Sequence, residues 1–207
     1  MRRTIKSVVS RCVRCRRFNS KHVESAPAPL PIDRVRDANI FEITGVDLAG
    51  PLILKGRQNS WICLFSCVVY RAIHLELVTS LSTQTFLECF RHFISRRGRP
   101  SNRLNFVGAN NAFKSLNWNC INGYCSARQI QWPFNPPSAP WWGGWWERLV
   151  GMLKGLLRRV LGKSCLDFEE MSTVLRDCES LLNSRPLTYI SESADDLKVL
   201  TPSMFLH

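Results

Sequence analysis

The sequence predicts a mixed α/β domain with helices on the faces of its sheet. Three observations carry this. Three strand-like segments follow one another between residues 41 and 78, rich in β-branched and aromatic residues. A segment with an apolar stripe at helical spacing comes next. Two more helical segments close the chain, so strands and helices share one domain without strict alternation.

The elements follow in order. "FEITGVDLAG" reads as a strand: Phe41, Ile43 and Gly45 alternate with Glu42, Thr44 and Val46, and it is expected to end near Asp47. "SWICLFSCVVY" reads as a central strand buried on both faces. "RAIHLELV" alternates and is expected to pair with it through a short turn, giving a three-strand antiparallel meander. "LSTQTFLECFRHFISRRG" predicts a helix capped by Ser82 or Thr83. Its stripe is Phe86, Leu87, Phe90, Phe93 and Ile94; Arg96 and Arg97 suit the C-terminal dipole, and Gly98 and Pro100 end it. "GANNAFKSLNW" is a weaker helix candidate, and "IQWPF" a short edge strand. "WWERLVGMLKGLLRRVLG" predicts a helix with Trp146, Leu149, Val150, Leu153, Leu157, Val160 and Leu161 on its apolar face, stopped by Gly162. "DFEEMSTVLRDCESLLNSRP" predicts the last helix, with Asp167 and Glu170 forming a capping box and Pro186 ending it.

Composition narrows the function classes. The 207 residues are 45% hydrophobic, enough to bury a core, and the net charge of +12 points to a polyanionic partner, most often nucleic acid. Nine cysteines without regular spacing argue against a secreted disulfide framework. No apolar run follows the basic N-terminus, and the longest apolar stretch, Trp61–Tyr70, is about half of what a membrane-spanning helix needs. A soluble, intracellular protein is expected. "SAPAPLP" reads as a linker after a basic segment that holds Cys12 and Cys15.

Two carboxylates stand where a site could form. Asp47 lies at a strand end before small residues, and Glu147 lies in the first turn of a helix after the segment "NPPSAPWWGG". Convergent carboxylates bind Mg2+ or Mn2+, hard ions that prefer oxygen, and such ions activate water in phosphodiester chemistry. Taken singly, Asp47 also fits a turn residue and Glu147 also fits dipole complementarity. Gly151, Lys154 and Arg158 follow Glu147 on one helical face, as a phosphate-backbone track or as a plain solvated face.

The motifs "TGVDLAGP", "RAIHLELVTSLST", "RRGRPSN", "NFVGANNAF", "IQWPFNPPSAPWWGGWWERLVGMLKGLLRRVLG" and "CESLLNSRPLTYIS" resemble the integrase of BEL/Pao-type retrotransposons over nearly the whole chain. That family is similar to retroviral integrases. The resemblance implies a ribonuclease-H-like core with an Asp-Asp-Glu site that transfers DNA strands with Mg2+ or Mn2+. It implies Asp47 and Glu147 as catalytic metal ligands, and Arg148, Lys154, Arg158, Trp142 and Trp145 as nucleic-acid contacts beside a mobile loop. DNA is the implied partner, with a homo-oligomer possible, no membrane association, and action in the nucleus.

The resemblance divides the chain into a zinc-module remnant (1–24), a linker (25–38), a catalytic core (39–190) and the start of a C-terminal extension (191–207). Cys12 and Cys15 match half of a His-His-Cys-Cys zinc module, so Zn2+ is expected only if the two histidines are supplied. The family's second Asp lies on a strand after "RRGRP". Here no aspartate occurs between Asp47 and Glu147, so that strand is expected to be missing, unless "RLNFV" replaces it, and the copy is expected to be degenerate. Glu76 and Asn105 are the remaining oxygen donors considered. A basic nucleic-acid-binding module without catalysis is the alternative.

Overall fold

The computed structural model describes residues 2–19, 35–100, 103–106, 116–130, 144–190 and 198–206. The chain divides into two units, Met1–Pro31 and Ile32–His207. In the first, α1 (Arg2–Arg11) and α2 (Val13–Asn19) are separated at Cys12.

The second unit is built around β1 (Ile43–Ile53). β2 (Asn59–Cys67) pairs antiparallel with it, and β3 (Ile73–Val78) pairs antiparallel with β2, which is the expected meander. β1 does not stop at Asp47. It runs six residues further, through an irregularity between Ala49 and Leu52, because Leu48 and Ala49 are still paired and buried between the two layers of helices. Gly50 opens this irregularity with φ 152°, and its backbone sits against the Trp61 ring.

For the strand expected to be missing, the stated alternative holds, with "RLNF" in its place. Arg103–Phe106 forms β4, parallel to β1, with Ile43 opposite Arg103 and Val46 opposite Phe106. The sheet order is β3-β2-β1-β4, so the fourth place is filled. A parallel strand needs a crossover, and α3 (Thr83–Arg97) supplies it. Ser82 caps α3 as expected, and the Gly98 amide closes its end on Ile94 O.

The pleat sorts the sheet residues into two layers. Val46, Leu48, Cys63, Phe65 and Cys67 pack against Phe86, Phe90 and Phe93 of α3 and Ile121 and Cys125 of α4 (Trp118–Ser126). The Phe65 and Phe93 rings stack at 4.3 Å. On the other face, Ala49, Ile62, Leu64, Ile73 and Leu75 pack against Leu149, Val150, Leu153 and Leu157 of α5 (Gly144–Leu161) and against Met171 and Leu175 of α6 (Phe168–Asn183). The described residues of each apolar stripe read from the sequence thus meet a sheet face, except Val160, which is 57% exposed; the side chain of Trp146 lies outside the described residues. Gly162 stops α5 with φ 54°, and the Asp167–Glu170 capping box is formed.

Of the weak helix candidate Gly108–Trp118, residues 108–115 lie outside the described residues, and the helix seen begins where that candidate ends. Most of "IQWPF" and the loop through residue 143 also lie outside them. β5 (Thr188–Tyr189) and β6 (Val199–Leu200) form a separate two-stranded ribbon, and Phe205 stacks on Tyr70 at 4.2 Å. Among the described residues, no helix is long and apolar enough to cross a membrane.

Candidate functional site

Asp47 is half-buried in the middle of β1, and its Oδ1 accepts a hydrogen bond from the Leu48 amide at 2.8 Å. In register it lies opposite Leu64, which lies opposite Leu75, so it belongs to the face that α5 and α6 cover. Ala49, two residues on, shares a buried cluster with Leu149 and Val150, two and three residues after Glu147. The first turns of α5 therefore pack over the strand that carries Asp47. The Glu147 backbone lies in α5; its side chain falls outside what is described, as do those of Trp142 and Trp145.

Arg148, Lys154 and Arg158 are exposed, on the side of α5 away from its buried stripe. Gly151 lies between them, with Gly155 close by. A Cβ built on either glycine meets nothing within 4 Å, so no packing inside this chain requires a glycine there. Each costs the helix about 1 kcal/mol relative to alanine. The result is a cationic helix face with a bare backbone notch.

Glu76 is not a substitute ligand beside Asp47. It lies opposite Cys63, which lies opposite Leu48, so it sits on the other face of the sheet. There its Oε1 is 2.9 Å from His74 Nε2. Cys63 stands between Leu48 and Glu76 in register. Burial pushes its thiol well up, with further contributions from the Cys89 thiol and from the charges of Asp47 and Glu76. Asn105 stands opposite Gly45 in the parallel register, two residues before Asp47.

Sequence reasoning missed what α6 does. Glu179 Oε2 accepts from the Leu75 amide at 2.7 Å, and Asn183 bonds both backbone groups of Ile73. The available signal was a glutamate and an asparagine four residues apart within the apolar run of a helix.

Asp47 and Glu147 are two carboxylates, with Asn105 as a neutral oxygen on the neighbouring strand; no aspartate lies between them in sequence. Among the described residues, no three His, Cys, Asp or Glu side chains gather as a metal site. That includes Cys12 and Cys15, both half-exposed. The Cys12 thiol is held below its usual range by hydrogen bonds from the Cys15 amide and thiol and from the Arg14 amide.

No family model and no curated protein sequence matches the chain. The architecture is that of retroviral integrase catalytic cores: a mixed sheet with an antiparallel meander, flanked by helices. Three similar solved structures are as follows. One is the intasome of simian T-cell lymphotropic virus in complex with the PP2A regulatory subunit B56 gamma, at 18% identity and TM-score 0.63, covering 100% of this chain and 67% of that one. Two are the HTLV-2 integrase catalytic core domain in complex with magnesium. Its dimeric form matches at 18% identity and TM-score 0.59, its trimeric form at 17% and 0.57, each covering 83% of this chain and 100% of that one.

Proposed function

We propose that this chain is an integrase-type DNA-binding core, of the BEL/Pao retrotransposon kind, whose strand-transfer chemistry is degenerate. The observation that carries this is β4. It occupies the strand position parallel to β1, but its four residues, Arg103–Phe106, include no acid. The residues that remain, Asp47 and Glu147, suit one weakly held Mg2+ or Mn2+, which when bound would polarise a phosphodiester oxygen. A second ion, needed to stabilise both the attacking and the leaving oxygen, finds no cluster of anionic ligands among the described residues.

Binding is better supported than turnover. The net charge of +12 and the exposed face of Arg148, Lys154 and Arg158 suit a phosphate backbone, and the Gly151–Gly155 notch allows it close approach. Trp142 and Trp145 are proposed as stacking contacts. Action in the nucleus and self-association follow from the same reading, as does a half-formed zinc site at Cys12 and Cys15.

The test is a strand-transfer assay on short DNA ends with Mg2+ or Mn2+, run beside Asp47→Asn. The expected result is DNA binding with no turnover above that of the variant. Turnover that Asp47→Asn abolishes would overturn the degenerate reading, and absence of salt-sensitive DNA binding would overturn the core one.

A further inference from the structure

β3 is the outer strand of the sheet on its side, and a polar cluster wraps around it from α6 to α3. His74 sits at the centre and is 2% exposed. Its ring lies 5.7 Å from the Phe93 ring and 6.1 Å from that of Phe65. Nε2 is 2.9 Å from Glu76 Oε1, and Nδ1 is 3.4 Å from Glu179 Oε1. A neutral imidazole has a single N–H. Whichever tautomer it adopts, its other nitrogen turns a lone pair toward a carboxylate oxygen. Only the imidazolium donates to both.

The surrounding charges agree. Facing His74 and its partners are Glu76 from β3 itself, Glu179 from α6, the Cys63 thiol from β2, and His92, Arg96 and Arg97 from α3. Arg97 lies 2.6 Å from Glu179. Arg96 and His92 approach Glu76 only at 3.5 and 3.7 Å, with side chains 45% and 64% exposed, so solvent screens them. Two carboxylates against Arg97 alone leave one negative charge in a poorly hydrated site, and a positive His74 cancels it. Burial favours the neutral ring, but the hydrogen bonds and charges of Glu179 and Glu76 outweigh it and hold the group above its usual range.

We propose that His74 is a buried imidazolium that latches α6 and α3 to the edge strand, and that loss of its one proton releases the latch. Glu179 is the element shared between the two states. It meets His74 through Oε1 and accepts from the Leu75 amide through Oε2. The longer contact, Nδ1 to Glu179 at 3.4 Å against Nε2 to Glu76 at 2.9 Å, is the one that gives up its proton, so Glu179 then faces a lone pair and its hold on β3 weakens. The sign follows from a raised folded pKa: the stabilisation is complete below the pKa of free histidine and is lost as pH rises through the folded value.

Nitrogen-15 NMR of the histidine rings in the full chain tests this directly. At neutral pH both His74 nitrogens are expected to be protonated, with titration above that of free histidine. A His74 ring with one bare nitrogen at neutral pH overturns the proposal. Hydrogen exchange of the Leu75 amide, corrected for intrinsic rate, is the second readout. It is expected to accelerate on the alkaline side, about tenfold for each unit by which the folded pKa exceeds that of free histidine. In Glu179→Gln that alkaline step is expected to vanish. A flat Leu75 profile in the native chain would also overturn the latch, and the NMR arm stands even if the variant fails to fold.

Discussion

Asn183 and Ile73, 110 residues apart, are joined by two hydrogen bonds. The Ile73 amide donates to Asn183 Oδ1 at 2.8 Å, and Asn183 Nδ2 donates to the Ile73 carbonyl at 2.9 Å. The side chain of a helix residue thus does for an outer strand what a neighbouring strand would do. One turn earlier, Glu179 Oε2 accepts from the Leu75 amide alone.

Asn183→Leu is therefore expected to destabilise the domain although it adds an apolar side chain. Ile73 is fully buried, so its amide and carbonyl would lose their partners without gaining water. Each orphaned group costs about 1–3 kcal/mol. Urea unfolding checks the magnitude, and exchange of the Ile73 amide checks the place.

The gross architecture was legible in the sequence, and the reasons are particular. The stripe from Phe86 to Phe93 is a helix in any context, and Asp167 with Glu170 announces an N-terminus by itself. β4 was legible only as an alternative, because "RLNF" has no strand signature of its own and becomes a strand by pairing with β1. The end of β1 was misread because Asp47 and Gly50 resemble turn residues, whereas the pairing of Leu48 and Ala49 with β2 carries the strand past them. Glu76 could be placed on the strand face of His74, but the second partner, Glu179, was invisible because it lies 105 residues away. Asp47 could be singled out from its neighbours, but which sheet face it occupies depends on register, which only pairing fixes.

Acid is expected to weaken the domain through the same cluster. In both Glu76 and Glu179 burial pushes the carboxyl up, but the hydrogen bonds and charge of His74 prevail and hold it below 4.5, aided by Arg97 and the Leu75 amide at Glu179 and by Arg96 at Glu76. A lowered folded pKa gives stability that is present above the unfolded value and lost as pH falls through the folded one. Thermal unfolding should show a decline below about pH 4.5 that Glu179→Gln reduces.

Gly50→Ala should be costly although the residue is exposed. The added Cβ would lie 2.7 Å from Trp61 Cδ1 and 3.1 Å from the Ser60 carbonyl, at φ 152°. A loss of about 1–3 kcal/mol is expected from the backbone conformation alone. Gly151→Ala, where a Cβ meets nothing, is the contrasting control and should stabilise α5. Melting temperatures of the two variants separate them.

Lys154→Ala with Arg158→Ala should weaken DNA binding without unfolding the domain, since both side chains are exposed. If each neutralises one phosphate, the slope of log affinity against log salt should shrink by about 2. An unchanged slope would exclude this face of α5 as the contact surface.

β4 pairs with β1 through backbone groups that are the same in every residue except proline. The sheet accepts any chain segment able to present them, whatever side chains it carries. The presence of the strand is therefore independent of the chemistry its side chains can perform. For this chain, good expression, cooperative melting and high solubility would report on the sheet alone and would be silent about turnover.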